Sequence, residues 1–131
     1  MNHRFGASER IKSRRLTSAL FHSGSTFSIR PFRVTWLFDQ GLPAGPVSVL
    51  ISIPKSRVRK ATDRNLMRRR IREAYRLNKS ILSGARMPGA TGRLMIAFTY
   101  TSVTLENFQT IREKIILILH RLTEADEKVT G

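Results

Sequence analysis

The 131 residues contain no cysteine. That absence removes disulfides, thiolate metal ligands and cysteine nucleophiles together. Long apolar runs are missing too: nowhere do about 18 apolar residues follow one another, the length a membrane-spanning helix needs. Met1 to Arg15 lacks the apolar stretch of a secretory signal, so the cytoplasm is the expected compartment. Acidic residues are scarce, nine against 24 lysines and arginines. Metal-assisted hydrolysis uses clustered carboxylates, yet the only acidic cluster is Glu124, Asp126 and Glu127 near the C-terminus. His3, His22 and His120 are scattered with no metal-ligand spacing, and no glycine-rich phosphate loop occurs. Catalysis by this chain alone is therefore not expected, nor a metal ion held tightly by the protein.

What is present in excess is positive charge, and it is concentrated. Residues 55–79 carry eleven basic side chains against Asp63 and Glu73, so this short stretch holds +9 of the chain's formal +15. Residues 1–15 add +4, while residues 16–54 and 80–131 contribute +1 each. Charge gathered in this way points to a surface that faces a polyanion.

The length suits one compact domain with a modest core. We place it at residues 9–123, with 1–8 and 124–131 as flexible tails. Glu9–Ser23 reads as a helix, with Ile11, Leu16, Ala19 and Leu20 on one side and Gly24 as its stop. Thr26–Arg30 and Phe32–Phe38 read as strands around Pro31. In the second, Phe32, Val34, Trp36 and Phe38 share one face and Arg33, Thr35 and Leu37 the other. A loop with Gly41, Pro43, Gly45 and Pro46 leads to a third strand, Val47–Ile53, ended by Pro54. A long basic helix, Ala61–Lys79, is followed by a loop over 83–92 and a fourth strand, Leu94–Tyr100. Thr104 can cap a last helix whose stripe is Leu105, Phe108, Ile111, Ile115, Ile118, Leu119 and Leu122. The element order is α-β-β-β-α-β-α, without an internal repeat. Trp36 belongs with the core, whereas Phe21 suits a core or a surface role equally.

The basic helix has two faces. At about 100° per residue, Met67, Ile71, Ala74 and Tyr75 fall within roughly a quarter turn and should dock on the sheet. Asn65, Arg68, Arg69, Arg72 and Arg76 cluster about 120° away by the same arithmetic, with Arg64 at the border and Arg70 pointing elsewhere. A solvated face normally mixes signs, but only Glu73 stands among the six arginines from Arg64 to Arg76. Close like-charged pairs on a helix cost roughly 0.2–0.5 kcal/mol each, and a bound polyanion relieves that cost. Arginine in place of lysine favours bidentate phosphate contacts and stacking.

The segment PKSRVRKATDRNLMRRRIREAYRL, Pro54–Leu77, resembles the signature of the bacterial ribonuclease P protein component: a lysine at a strand end leading into an Arg-Asn motif on a basic helix. The preceding ERIKSRRLTSALFHSGSTF, residues 9–27, is similar to that family's first helix and glycine-ended turn. The resemblance extends over about residues 9–122 in element order. One departure is Leu66, where the family usually has a further basic residue.

The resemblance implies an α/β (α+β) two-layer sandwich with a four-stranded mixed sheet and a left-handed β-α-β crossover around the basic helix. It implies an RNA-binding subunit of the ribonucleoprotein that cleaves precursor tRNA endonucleolytically to make the mature 5′ end. The partners it implies are the catalytic RNA and precursor tRNA, the protein alone being a monomer. The Mg²⁺ of the holoenzyme would be held mainly by RNA. Carried over position by position, the catalytic RNA would be bound by Arg64, Asn65, Arg68, Arg69, Arg72 and Arg76. The 5′ leader would lie in a cleft with Phe21, Arg33 and Thr35. Thr17 and Thr35 stand where the family commonly has aromatics, which weakens base stacking there.

The alternative class is a ribosomal or other structural RNA-binding protein, which would share size, charge and sandwich; the Pro-Lys strand end before the Arg-Asn segment argues against it. A helix-turn-helix regulator would need a short helix and tight turn before the basic helix. A membrane-surface helix would need bulky interfacial residues beyond Tyr75.

Overall fold

The structure, a computed structural model, describes residues 14–39, 47–82 and 92–130. The elements are α1 (Arg14–Ser23), β1 (Ser25–Ile29), β2 (Phe32–Asp39), β3 (Ser48–Ser52), α2 (Ala61–Asn78), β4 (Arg93–Tyr100) and α3 (Phe108–Thr130), with a 3₁₀ turn at Lys79–Leu82 after α2. The order matches the sequence reading. The beginning of the first predicted helix, the 41–46 loop and most of the 83–92 loop lie outside the described residues.

The four strands form one mixed sheet in the order β1-β2-β4-β3. β1 pairs antiparallel with β2 and β2 with β4, whereas β3 lies parallel to β4, the two being joined through α2. Period-two alternation sorts the side chains. Phe32, Val34, Ile96 and Phe98 pack under α2 and α3 in the main core, with Trp36 and Phe38 partly buried against it. The ring edges of Phe98 and Tyr100 meet Phe32 at 6.1 and 5.8 Å between centroids. The opposite face carries a smaller cluster, Leu20 of α1 on Met95 and Ala97, flanked by Leu37 and Leu50.

α1 ends where Gly24 N–H donates to Leu20 O at 2.8 Å. A β-carbon on Gly24 would fall 2.4 Å from Leu20 O and 2.8 Å from Trp36 O, so only glycine lets the chain turn that close to β2. In α2 the predicted stripe of Met67, Ile71, Ala74 and Tyr75 is the buried one. α3 departs from expectation at its start. Thr104 is not its cap: Asn107 is, its Oδ1 accepting from Thr110 N–H at 2.9 Å. Residues 101–106 instead form a loop fastened from both sides. Thr101 N–H donates to Pro31 O at 2.8 Å, and Tyr100 O–H donates to Thr104 O at 2.5 Å while accepting from Glu106 N–H at 3.2 Å. Burial pushes the Tyr100 hydroxyl above the ordinary phenol pKa, keeping it a donor. Leu105 is consequently exposed and outside the apolar stripe, which runs through Ile111, Ile115, Ile118, Leu119 and Leu122. At its other end α3 continues to Thr130, since no glycine or proline interrupts residues 124–130.

Candidate nucleic-acid interface

α2 is fixed by its buried stripe, and that leaves the arginine face turned from the sheet. Asn65 and Arg69 are exposed; Arg64, Arg68, Arg72 and Arg76 are half-buried. The spacing of Asn65, Arg68, Arg69, Arg72 and Arg76 follows the i, i+3, i+4 rows of a helix, so their heads form one continuous ridge. Along it, Arg68 Nη1 lies 3.5 Å from Asn65 Oδ1. Glu73 pairs with Arg76, accepting from its Nε at 3.1 Å and also from Nη2, and this hydrogen bond raises the Arg76 pKa further above its ordinary value.

Two arginines of the helix work on the scaffold. Arg64 Nη1 donates to Val58 O at 3.0 Å and Arg59 O at 2.6 Å, gripping the loop that enters α2. Arg70, which the helical wheel sends away from the ridge, donates from Nη1 to Glu106 O at 2.7 Å and holds the loop after β4. Leu66, at the position of the family departure, is half-buried.

Of the other candidate residues, Arg33 and Thr35 belong to the face of the sheet that α1 covers, and Phe21 to α1 itself. Register places Ser28, Arg33, Thr99 and Ser52 in one row across all four strands. Ser28 and Arg33 are exposed and the other two half-buried, because Leu20 of α1 covers the rows nearer Met95 and Ala97. The sequence does not single out Ser28, Ser52 and Thr99: the alternation within each strand holds the signal, but only the pairing register brings them beside Arg33. Phe21 is 48 % exposed on α1, which settles it as a surface residue. Thr35, expected to face the cleft, is 3 % exposed. Its methyl packs where α1 turns at Gly24, and its hydroxyl lies 3.3 Å from Thr26 Oγ1. Thr35 therefore packs under the end of α1 and offers a ligand almost no surface. Thr17 is half-buried.

Among the described residues no group of three or more His, Cys, Asp or Glu could hold a metal ion, and no helix is long and apolar enough to cross a membrane.

The ribonuclease P family model matches residues 5–123. The chain belongs to the ribonuclease P protein family. The protein component from Porphyromonas gingivalis is 36 % identical over 118 residues, covering 88 % of this chain and 83 % of that relative. The solved ribonuclease P protein from Thermotoga maritima superposes with a TM-score of 0.66 at 25 % identity, over 86 % of this chain and 96 % of that one. The Staphylococcus aureus ribonuclease P protein, at 18 % identity, shares the fold with a TM-score of 0.65 over 87 % and 94 % of the two chains. Members are subunits of an endoribonuclease ribonucleoprotein of tRNA processing, and the chain has that role, with the ribonuclease P RNA as its partner and precursor tRNA as the substrate.

Proposed function

We propose that the chain holds the catalytic RNA through the ridge Asn65, Arg68, Arg69, Arg72 and Arg76, assisted by Arg64, and meets the 5′ leader of precursor tRNA on the α1 face through Arg33 and Phe21. The observation that carries this reading is the split of α2 into one buried apolar stripe and one cationic ridge. Guanidinium groups spaced along a helix suit phosphates spaced along an RNA backbone. On the α1 face, a single exposed arginine in a row of hydroxyls suits a single-stranded segment, with Phe21 available to stack on a base. Thr35 contributes only by packing under the end of α1. The holoenzyme's Mg²⁺ is then held mainly by RNA, and the protein by itself is a cytoplasmic monomer.

Two measurements test the reading. Sequencing the RNA that co-purifies with the tagged protein should return one non-ribosomal RNA; ribosomal RNA alone would favour a structural role instead. Affinity for that RNA should fall with salt on a log–log slope of several units, because each phosphate neutralised releases counterions. Arg72→Ala should lower the slope by about one. A slope near zero would mean that the ridge is merely solvated.

A further inference from the structure

The end of the sheet from which β4 exits carries a charged surface that neither proposed contact uses. A cleft of ≈ 650 Å³ opens there between the β1–β2 turn, the loop before α2 and the first turns of α3. Each of the three contributes one cation: Arg30, Arg57 and Lys114. Thr101, Ser102, Thr104 and Thr110 supply hydroxyls to its wall, and Glu106 is the one acidic residue lining it. None of the three cations forms an ion pair among the described residues, and three cations against the single carboxylate of Glu106 leave the lining net positive. Cations brought together from separate elements without a partner raise the local potential and favour an anion.

The cleft is also built firmly. One wall is the loop fastened by Thr101 to Pro31 and by the Tyr100 hydroxyl to Thr104 and Glu106. Both walls are tied to α2, through Arg70 on Glu106 O and Arg64 on Val58 O and Arg59 O. An anion bound there need not order the loop first, a cost that would otherwise weaken binding.

We propose that this cleft binds a second stretch of the phosphodiester backbone of the catalytic RNA, so that the RNA contact continues from the α2 ridge around the end of the sheet to Lys114. This rests on the reading of α2 given above. Continuity selects the catalytic RNA over a small phosphorylated ligand or the leader. A neighbouring depression shares Arg57 and Val103 with the cleft and adds Arg59 and Lys60, the last residues before α2, against one carboxylate, Asp63. Val103, 68 % exposed between the two, offers sugars and bases an apolar surface to cover. Thr110 and Lys114 belong to α3, on the face of the sheet opposite α1, so an RNA seated on α2 reaches the cleft without crossing the surface assigned to the leader.

The test uses the full chain with its partner RNA. The triple variant Arg30→Gln, Arg57→Gln and Lys114→Gln keeps the aliphatic stems and removes the charges. Its log–log salt slope should be smaller by about two to three, with affinity reduced roughly tenfold or more as three charge-assisted contacts are lost. A slope and affinity equal to the parent's would overturn the proposal. Because the chain has no cysteine, Val103→Cys places a single photo-crosslinker at the cleft rim with all its charges intact. In holoenzyme loaded with precursor tRNA it should react with the catalytic RNA; reaction with precursor tRNA only, or with neither, would overturn the assignment. Arg69→Ala is measured in parallel. If it too leaves RNA affinity unchanged, the α2 reading fails; if it weakens binding while the triple variant does not, only the cleft is wrong.

Discussion

α2 sets six arginines between Arg64 and Arg76, whereas the described strands carry two, the exposed Arg33 and the half-buried Arg93 at the far end of β4. The two surfaces differ in more than density. On α2 the helix repeat places cations side by side at a repulsive cost, and the apolar stripe a third of a turn away anchors them to the core. On the sheet, one charge sits among Ser28, Ser52 and Thr99, each delivered by a different strand. A ridge of repeated charges suits a constant partner held at many points, so that no single loss is decisive. A row with one cation suits a segment of changing sequence held at few points. The difference can be attacked from either side.

The largest effect expected is on cleavage itself. In the reading proposed above the RNA subunit carries catalysis, so protein freed rigorously of RNA should leave precursor tRNA uncut at every magnesium concentration. Adding the partner RNA should restore cleavage at the mature 5′ end. Site-specific cutting by the RNA-free protein would make one of these surfaces an active site and end the comparison.

Next come the two faces of α2. Ile71 is fully buried in the main core, and Ile71→Ala should lower the unfolding free energy in urea by roughly 2–5 kcal/mol. Arg69 is exposed on the ridge. Arg69→Ala should change stability by no more than about 0.5 kcal/mol while weakening assembly with the RNA by on the order of 1–3 kcal/mol, a loss that excess protein rescues. If Arg69→Ala unfolds the chain as Ile71→Ala does, the ridge is part of the scaffold, as Arg64 and Arg70 are.

The same contrast explains how much of the fold is legible in the sequence. Met67, Ile71, Ala74 and Tyr75 repeat at helical spacing, so both faces of α2 followed from arithmetic on one segment. Alternation alone puts Phe32, Val34, Trp36 and Phe38 on one face of β2, the face that packs on the main core. What escaped depends on partners distant in sequence. Thr35 shares the parity of Arg33, and only the turn of α1 at Gly24 buries one and spares the other. Thr104 has the chemistry of a cap, but the Tyr100 hydroxyl holds its carbonyl in a loop and passes the cap to Asn107. Arg64, at the border of the charged face, looks like a further member until its carbonyl acceptors are known, and the helical wheel sends Arg70 elsewhere without saying that it meets Glu106 O.

The smallest effect expected belongs to Arg33, and it separates the two surfaces most sharply. Its neighbours in the row are hydroxyls, and the residue is exposed, so one phosphate contact there is worth on the order of 1 kcal/mol in water. Arg33→Ala should leave assembly with the catalytic RNA intact and raise the apparent Kd for long-leader precursor tRNA by a few fold. Trimming the leader to one nucleotide should abolish the difference between variant and parent, because the contact partner is gone. Phe21→Ala should follow the same leader-length dependence. With about half its surface already in water, Phe21 should lose about 1 kcal/mol or less of folding stability on truncation, so a thermal melt can confirm that the variant is folded. The measurement is a pair of titrations, partner RNA against each variant and long- against short-leader substrate against each holoenzyme. Equal weakening of both substrates by Arg33→Ala would place Arg33 on the tRNA body or the catalytic RNA, and the division of labour between helix and sheet would be wrong.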